Sequence, residues 1–349
     1  MEFGSQSHRR LEEGSRGPLV GIMARATIPF LFMALAPLVL SVSQLYLAVI
    51  VMIWTLVGYG LYIPYSIAGQ LTVATVTSYG AGAFAAALTA SNWGWTFVAA
   101  AAAGIVCACV VGFVLALPVL RTKGQYFVIL TLILAVAANS AAQQWSLTSG
   151  PASAGVFESK PISIGGLAIT SIASTYILCL IAVMVVALSI VFLEHSKLGR
   201  RFAGIRENEE LARSIGFSAA RLKILALVLG TIPAGLGGAF LAFYQHEVEL
   251  GNFDINAAIT VVLMLIIGGA GSIYGPIVGA TIVYFLPGAI GLGPTAQQIF
   301  YGVALCVIVI VLPKGIVGGL GMGLARLRFH QPNYPFKTVR RPMPHAESG

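Results

Sequence analysis

Charge is what this sequence has least of. Only 9% of its 349 residues are Asp, Glu, Lys or Arg, against about a quarter in an average soluble domain. No Asp, Glu, Lys, Arg or His occurs from Ala26 to Leu120, Gly124 to Phe157, Pro161 to Leu193, Ile224 to Gln245, or Ile255 to Pro313. A charge inside a membrane costs about 2.5–3.5 kcal/mol on insertion scales, and proteins that carry one generally use it. The lack disfavours carboxylate proton relays, voltage sensors and channels with charged selectivity rings. Sodium coupling through hydroxyls and carbonyls stays open.

Further absences narrow the function. No lysine follows a glycine, so no glycine-rich phosphate loop ending in Gly-Lys exists here. Any ATP that drives this chain is hydrolysed on a partner. The five histidines, His8, His195, His246, His330 and His345, are scattered and form no HExxH pattern. No metal or catalytic cluster is expected. Cys107, Cys109, Cys179 and Cys306 lie in apolar runs without a CxxC pair and read as packing residues. The net charge of +8 sits in loops and tails between apolar runs, a membrane distribution rather than a nucleic-acid groove.

What is abundant is apolar. Hydrophobic residues make up 58% of the chain, and the mean hydropathy is +0.90. A hydrocarbon core takes about 20 apolar residues per helix, which divides the chain into spans at roughly 26–43, 45–63, 72–91, 95–118, 126–145, 175–193, 224–243, 257–270, 276–290 and 298–313. The expected fold is all-α: a polytopic membrane helix bundle of about ten transmembrane helices, eight being the alternative count, with some broken helices.

Lysine and arginine orient it. Lys197, Arg200, Arg201, Arg206, Arg213, Arg221 and Lys223 fall in the 194–223 loop, Arg121 and Lys123 in a short turn, and Lys314, Arg326, Arg328, Lys337, Arg340 and Arg341 near the end. These belong inside. Segments 146–174 and 244–256 belong outside, the latter carrying Glu247, Glu249 and Asp254 without Lys or Arg. An even count satisfies every assignment and puts both termini in the cytoplasm. Residues 1–25 read as a flexible polar leader and not a signal peptide. Residues 26–318 form the permease domain, and 319–349 a basic, disordered or headgroup-bound tail.

Polar residues inside spans mark a candidate path. Asn139 and Gln143 stand four apart on one helix, as do Ser140 and Gln144, so each pair shares a face. Gln70, Thr72, Thr75, Thr77 and Ser78 cluster at the start of another span. Such amides and hydroxyls serve interhelical hydrogen bonding or line a solute cavity. A lining of this kind suits a small zwitterion or neutral polar solute. Small residues four apart, Gly271/Gly275/Gly279, Ala234/Gly238 and Ser78/Gly82, favour close helix packing. Glycine and proline across Gly268–Pro276 point to a broken helix.

The long charged loop SKLGRRFAGIRENEELARSIGFSAARLKI, residues 196–224, holds helix formers with Glu207, Glu209 and Glu210 ahead of basic residues. One or two surface helices are expected, with Gly216 ending the first and Ser218 capping the next. On composition it is a solvated linker or a docking element for a cytosolic partner.

Resemblance separates these readings. Glu210-Leu211-Ala212-Arg213-Ser214-Ile215-Gly216 resembles the E-A-A-x-x-x-G loop of ABC importer permeases, although Leu211 replaces its middle alanine. The run Gly199–Glu209 resembles the GRALRAIRENE stretch of branched-chain amino acid ABC transporter permeases of the LivM type, and Ala220–Lys223 the approach to the next span. Ala68–Thr72, Leu117–Arg121, Gly124–Tyr126, Leu147–Pro151, Ile267–Pro276 and Leu312–Gly315 resemble further family strings in family order.

The resemblance implies the permease subunit of an ABC importer in a bacterial cytoplasmic (inner) membrane, carrying branched-chain or related amino acids. It implies a homologous second permease, two cytosolic ATP-binding subunits and an external solute-binding protein, with ATP and magnesium on the ATPase and no cofactor in this chain. Glu207, Glu209, Glu210, Ala212 and Gly216 become the ATPase-coupling candidates: Glu209 and Glu210 as contacts, Ala212 for close approach, Gly216 for the turn. Gln70, Thr72, Ser78, Asn139 and Gln143 are the translocation-path candidates. The chain is expected to be no enzyme. A self-contained facilitator or sodium-coupled carrier is the alternative.

Overall fold

The structure is a computed structural model that describes residues 27, 30, 33–117, 125–144, 162–164, 167–169, 171–214, 216–246, 248–291, 293–312 and 315–324. A single helical turn, Ala36–Val39, precedes α1 (Val42–Tyr62). Ser41 and Gln44 start α1 with a reciprocal capping box, Gln44 N–H donating to Ser41 Oγ at 3.4 Å and Ser41 N–H to Gln44 Oε1 at 3.0 Å. The helix widens into a π turn at Ile63–Ile67, where Pro64 supplies no N–H. Gly69, at φ +74°, then redirects the chain.

Three helices follow: α2 (Thr75–Trp93), α3 (Phe97–Ala116) and α4 (Gln125–Gln144). A short antiparallel ribbon comes next, β1 (Ile162–Ile164) with β2 (Leu167–Ile169), registered Ile162 to Ile169. The ribbon is a short local feature in a helical bundle. The triplets Ile162-Ser163-Ile164 and Leu167-Ala168-Ile169 flank Gly165-Gly166, a two-residue hairpin signal outside the apolar spans. Then come α5 (Ile172–His195), α6 (Lys197–Glu207), α7 (Glu209–Ser214) and α8 (Ala219–Gln245). A 3-10 turn at Leu250–Phe253 leads to α9 (Ile255–Gly268). The last helices are α10 (Gly275–Ile290), α11 (Pro294–Val311) and α12 (Gly315–Leu324).

The chain is a polytopic helical membrane protein. Among the described residues, five helices are long and apolar enough to cross a bilayer: α1 with its π extension, α3, α4, α5 and α8. Helix α2 occupies the expected span at 72–91 and α11 that at 298–313. At 14 residues, α9 rises only about 21 Å, less than a core of about 30 Å. The expected break lies between α9 and α10, where Gly269 at φ +109° ends α9 and residues 269–274 are non-helical. The span at 26–43 is only partly described. Helix α12 crosses the boundary placed at 318, and the leader, the Arg121/Lys123 turn, Leu147–Pro151, Pro313-Lys314 and the tail from 325 lie outside the described residues.

Glycines decide the packing of the core. Helices α2, α3 and α8 form its tightest trio. A Cβ on Gly82 would stand 2.6 Å from Gly235 Cα, and one on Gly104 2.7 Å from the Gly82 carbonyl. Gly82 and Gly238 also meet backbone against backbone, a Cβ on Gly238 standing 3.2 Å from the Gly82 carbonyl carbon, while Ala234 lies against Gly60 of α1. Gly275 and Gly279 likewise press on Gly269 and Met264. Gly271, grouped with them by spacing, faces open space, because the break unwinds the helix on which that spacing was counted. Buried aromatics fill the remaining volume: Tyr79 packs on Phe253 and Trp54, and Trp54 stacks on Tyr284 at 4.7 Å.

Candidate functional site: a helical loop and a polar seam

The loop between α5 and α8 is built from its caps inward. Ser196 opens α6 by accepting Gly199 N–H at 3.2 Å. Spacing of three puts Phe202 and Ile205 on one buried face, while Arg200, Arg201 and Glu207 are exposed. Asn208 then caps α7, accepting Leu211 N–H at 3.0 Å. Its signal was readable, an Asn directly ahead of two glutamates. Gly216, at φ +89°, closes α7 as expected; its N–H donates to the Arg213 carbonyl and Phe217 N–H to that of Ala212. Ser218 precedes α8 without a side-chain cap bond, so the expected cap is absent.

The coupling candidates separate into two groups. Glu209 accepts from Arg213 at 2.6 Å and from Lys223 at 2.7 Å. It bolts α7 to α8 and is engaged inside the chain. Ala212 is 4% exposed and packs with Ile205 and Ala219, so its small size serves approach to this chain's own α8. Glu207, Glu210 and Gly216 face outward, joined by Leu211 at 61% exposure. In the sequence Leu211 stood out only as a departure from the family's middle alanine and was not among the coupling candidates.

One bond ties this loop to the C-terminal end of α1, and another ties the end of α5 there. The Arg206 guanidinium donates to the Ser66 carbonyl in the π turn. In a regular helix that carbonyl would receive Gln70 N–H, which here goes to Pro64 at 2.8 Å. Arg206 thus occupies an acceptor released by the π turn. A Cβ at residue 69 would stand 2.8 Å from Arg206 Cγ, so Gly69 serves both the turn and the arginine's passage. Nearby, Tyr62 donates to Glu194 at 2.8 Å. Neither link is local in sequence.

The path candidates fall in two clusters along the seam between α2 and α4. Gln70, Thr72 and Ser78 are buried, together with Thr75, Thr131 and Thr231. Gln70 Oε1 and Ser78 Oγ have no hydrogen-bond partner among the described residues. Farther along α4, Asn139 Nδ2 donates to the Phe253 carbonyl at 3.1 Å, and Gln143 Nε2 to Asn139 Oδ1 at 2.7 Å. These two and Ser140, Thr77 and Asp254 line a cavity of about 200 Å³ whose other wall is aliphatic. Asp254 accepts Ala257 N–H at 3.0 Å, capping α9.

The site is thus a surface helical loop and a buried polar seam in a membrane helix bundle. The sequence matches the family described as branched-chain amino acid transport system / permease component over residues 43–312, and the chain belongs to that family. It is 26% identical over 278 residues to the high-affinity branched-chain amino acid transport system permease protein LivM of Escherichia coli, covering 72% of this chain and 65% of that one. Against LivM of Salmonella typhimurium it is 27% identical, covering 70% and 63%. A shorter similarity, 26% over 139 residues, links it to the probable ABC transporter permease protein YphD of Escherichia coli, covering 38% and 42%. The chain thus spans just under two thirds of the length of its LivM relatives. No solved structure matches it.

Proposed function

We propose that this chain is the permease subunit of a bacterial ABC importer for branched-chain or related amino acids. The observation that carries the reading is the loop of α6 and α7. Its capping and ion pairs fix it as a rigid body, yet Glu207, Glu210 and Leu211 are left outward. A short rigid helix with an apolar tip between carboxylates suits a groove on a cytosolic partner. The family and the similarity to LivM support the class of cargo.

In this reading two cytosolic ATPases hold ATP and magnesium, a homologous second permease completes the pathway, and an external binding protein delivers the solute. The complex sits in the cytoplasmic membrane. Closure of the ATPase pair displaces α7. Arg206 and Tyr62 pass that displacement to the π turn and α1. Gln70, Thr72, Ser78, Asn139 and Gln143 line the route that opens. The aliphatic wall of the cavity beside Asn139 and Gln143 takes an apolar side chain, and its amides and Asp254 take the polar end.

The test is purification of the chain from its native membrane in mild detergent, with identification of what accompanies it. A P-loop ATPase and a second apolar permease are expected. Their loss on Glu210→Lys, together with abolished uptake in a well-inserted Gly216→Arg variant, would support the coupling role. Recovery of the chain alone, combined with transport by it in liposomes, would replace this reading with a self-contained carrier.

A further inference from the structure

An apolar groove of about 580 Å³ lies between α5 and α8, within the range of about 300–1,000 Å³ that holds whole small ligands. Val185 and Leu193 mark its length on α5, Ile232 stands on the α8 side, and Ile63 of the π turn forms its floor. Val185 and Ile232 are exposed, so the groove opens on the outer surface of the bundle. Ser189 lies within it, but its hydroxyl donates to the Val185 carbonyl at 2.8 Å and is spent there. At one end the groove reaches Ser196 and Lys197, where α6 begins.

Length and charge both bear on what fills it. From Val185 to the end of α5 at His195 the helix rises about 15 Å, half of a hydrocarbon core of about 30 Å. The groove thus runs the depth of one leaflet. The basic loop that follows α5 puts its mouth on the cytoplasmic side. Lys197 lines that mouth, and Arg200 stands one turn on, exposed on the same face of α6. Neither cation has an ion-pair partner among the described residues. Arg201, beside them, is engaged over the Phe217 ring at 5.5 Å. The nearby carboxylates are turned elsewhere. Glu194 accepts from Tyr62 at 2.8 Å, and Glu207 stands at the far end of α6, about 15 Å from Lys197.

We propose that this groove holds an anionic phospholipid of the cytoplasmic leaflet, with one acyl chain between α5 and α8 and the headgroup at Lys197 and Arg200. The assignment rests on the membrane fold and not on the importer reading. An acyl chain needs an apolar channel as deep as its leaflet, which the groove supplies. A phosphodiester without an amine leaves its whole negative charge to the two cations. An ethanolamine headgroup adds an ammonium that meets those same cations and finds no free carboxylate at the mouth, so the zwitterionic lipid is the poorer occupant. The lipid holds the near end of α6, the helix whose Arg206 is tied to the π turn.

The experiment reconstitutes the full chain, with the subunits that co-purify, into vesicles of equal parts phosphatidylglycerol and phosphatidylethanolamine. A trace of one or the other lipid carries a diazirine in mid-chain, and labelled peptides are mapped after illumination. Peptides covering 185–198 and 229–236 are expected to take the glycerol lipid over the ethanolamine lipid by about thirtyfold, from about fivefold for each basic residue. Lys197→Gln should lower that ratio about fivefold. Lys197→Gln with Arg200→Gln should bring it to one, with labelling by both lipids retained and the melting temperature unchanged, because both side chains are exposed. Ile232→Trp, which fills the groove, should reduce labelling by both. A wild-type ratio of one would overturn the assignment, as would a ratio unchanged in the double variant or full labelling of Ile232→Trp. Labelling by neither lipid would also overturn it and show that another protein surface covers the groove.

Discussion

Arg206→Met isolates the link between the surface loop and the core. Methionine keeps an unbranched stem to lie across Gly69 and removes only the guanidinium. What is lost is the hydrogen bond to the Ser66 carbonyl. A hydrogen bond with one charged partner contributes about 1.5–3 kcal/mol. Arg206 is exposed over much of its surface, so solvent screening brings the figure to about 1 kcal/mol. That corresponds to about fivefold in an equilibrium constant. If the bond carries loop movement to the π turn, solute imported per ATP hydrolysed should fall by about that factor. Assembly and basal ATPase should hold, because neither the outward face of α7 nor its bolts are touched. Arg206→Lys should fall between, as a lysine presents one point charge instead of a planar fork. The assay is paired uptake and phosphate release in proteoliposomes containing the complete complex. Unchanged coupling in Arg206→Met, at wild-type protein levels, would refute the link.

Gly82→Ala should lower the melting temperature of the purified protein and its yield. The new Cβ would lie 2.6 Å from Gly235 Cα where ordinary contact begins at 3.4 Å, so α2 and α8 must part by about 0.8 Å, an overpacking cost of about 1–3 kcal/mol. Equal thermal stability in detergent would show that these helices are not in backbone contact. Glu209→Gln should loosen α7 from α8 by about 0.5–1 kcal/mol, since it removes pairs with Arg213 and Lys223 that are partly exposed. Hydrogen exchange across 209–216 should rise several-fold, and high salt should reproduce the effect in the unmodified protein; unaltered exchange would exclude the bolt.

Much of the fold was legible because a bilayer makes a coarse demand. Runs free of charge mark helices α1 to α5, α8 and α11 with ends shifted by a few residues, since backbone polar groups in lipid are satisfied within a helix. The break at Gly268–Pro276 was visible in its glycine and proline. The ribbon at 162–169 was passed over because three-residue strands carry little periodicity. Within the site, Gly216 was legible through its turn. The inward roles of Glu209 and Ala212 were not, because a charge or a small residue reads the same whether it faces a partner or its own chain.

By itself the sequence determined that this protein lives in a membrane as a helical bundle and carries one long charged helical loop between its spans, and that these 349 residues hold no Gly-Lys phosphate loop. These follow from composition and spacing, which act through the solvent and the helix period and need no knowledge of neighbours. Only the tertiary structure decided that Arg206 reaches Ser66, that Gly82 rests on Gly235, and that Thr72, Ser78, Thr131 and Thr231 surround one cavity. The first two contacts join residues more than a hundred positions apart, and the cavity gathers residues from separate helices. No local pattern encodes them, because they depend on how glycine-faced helices settle against one another.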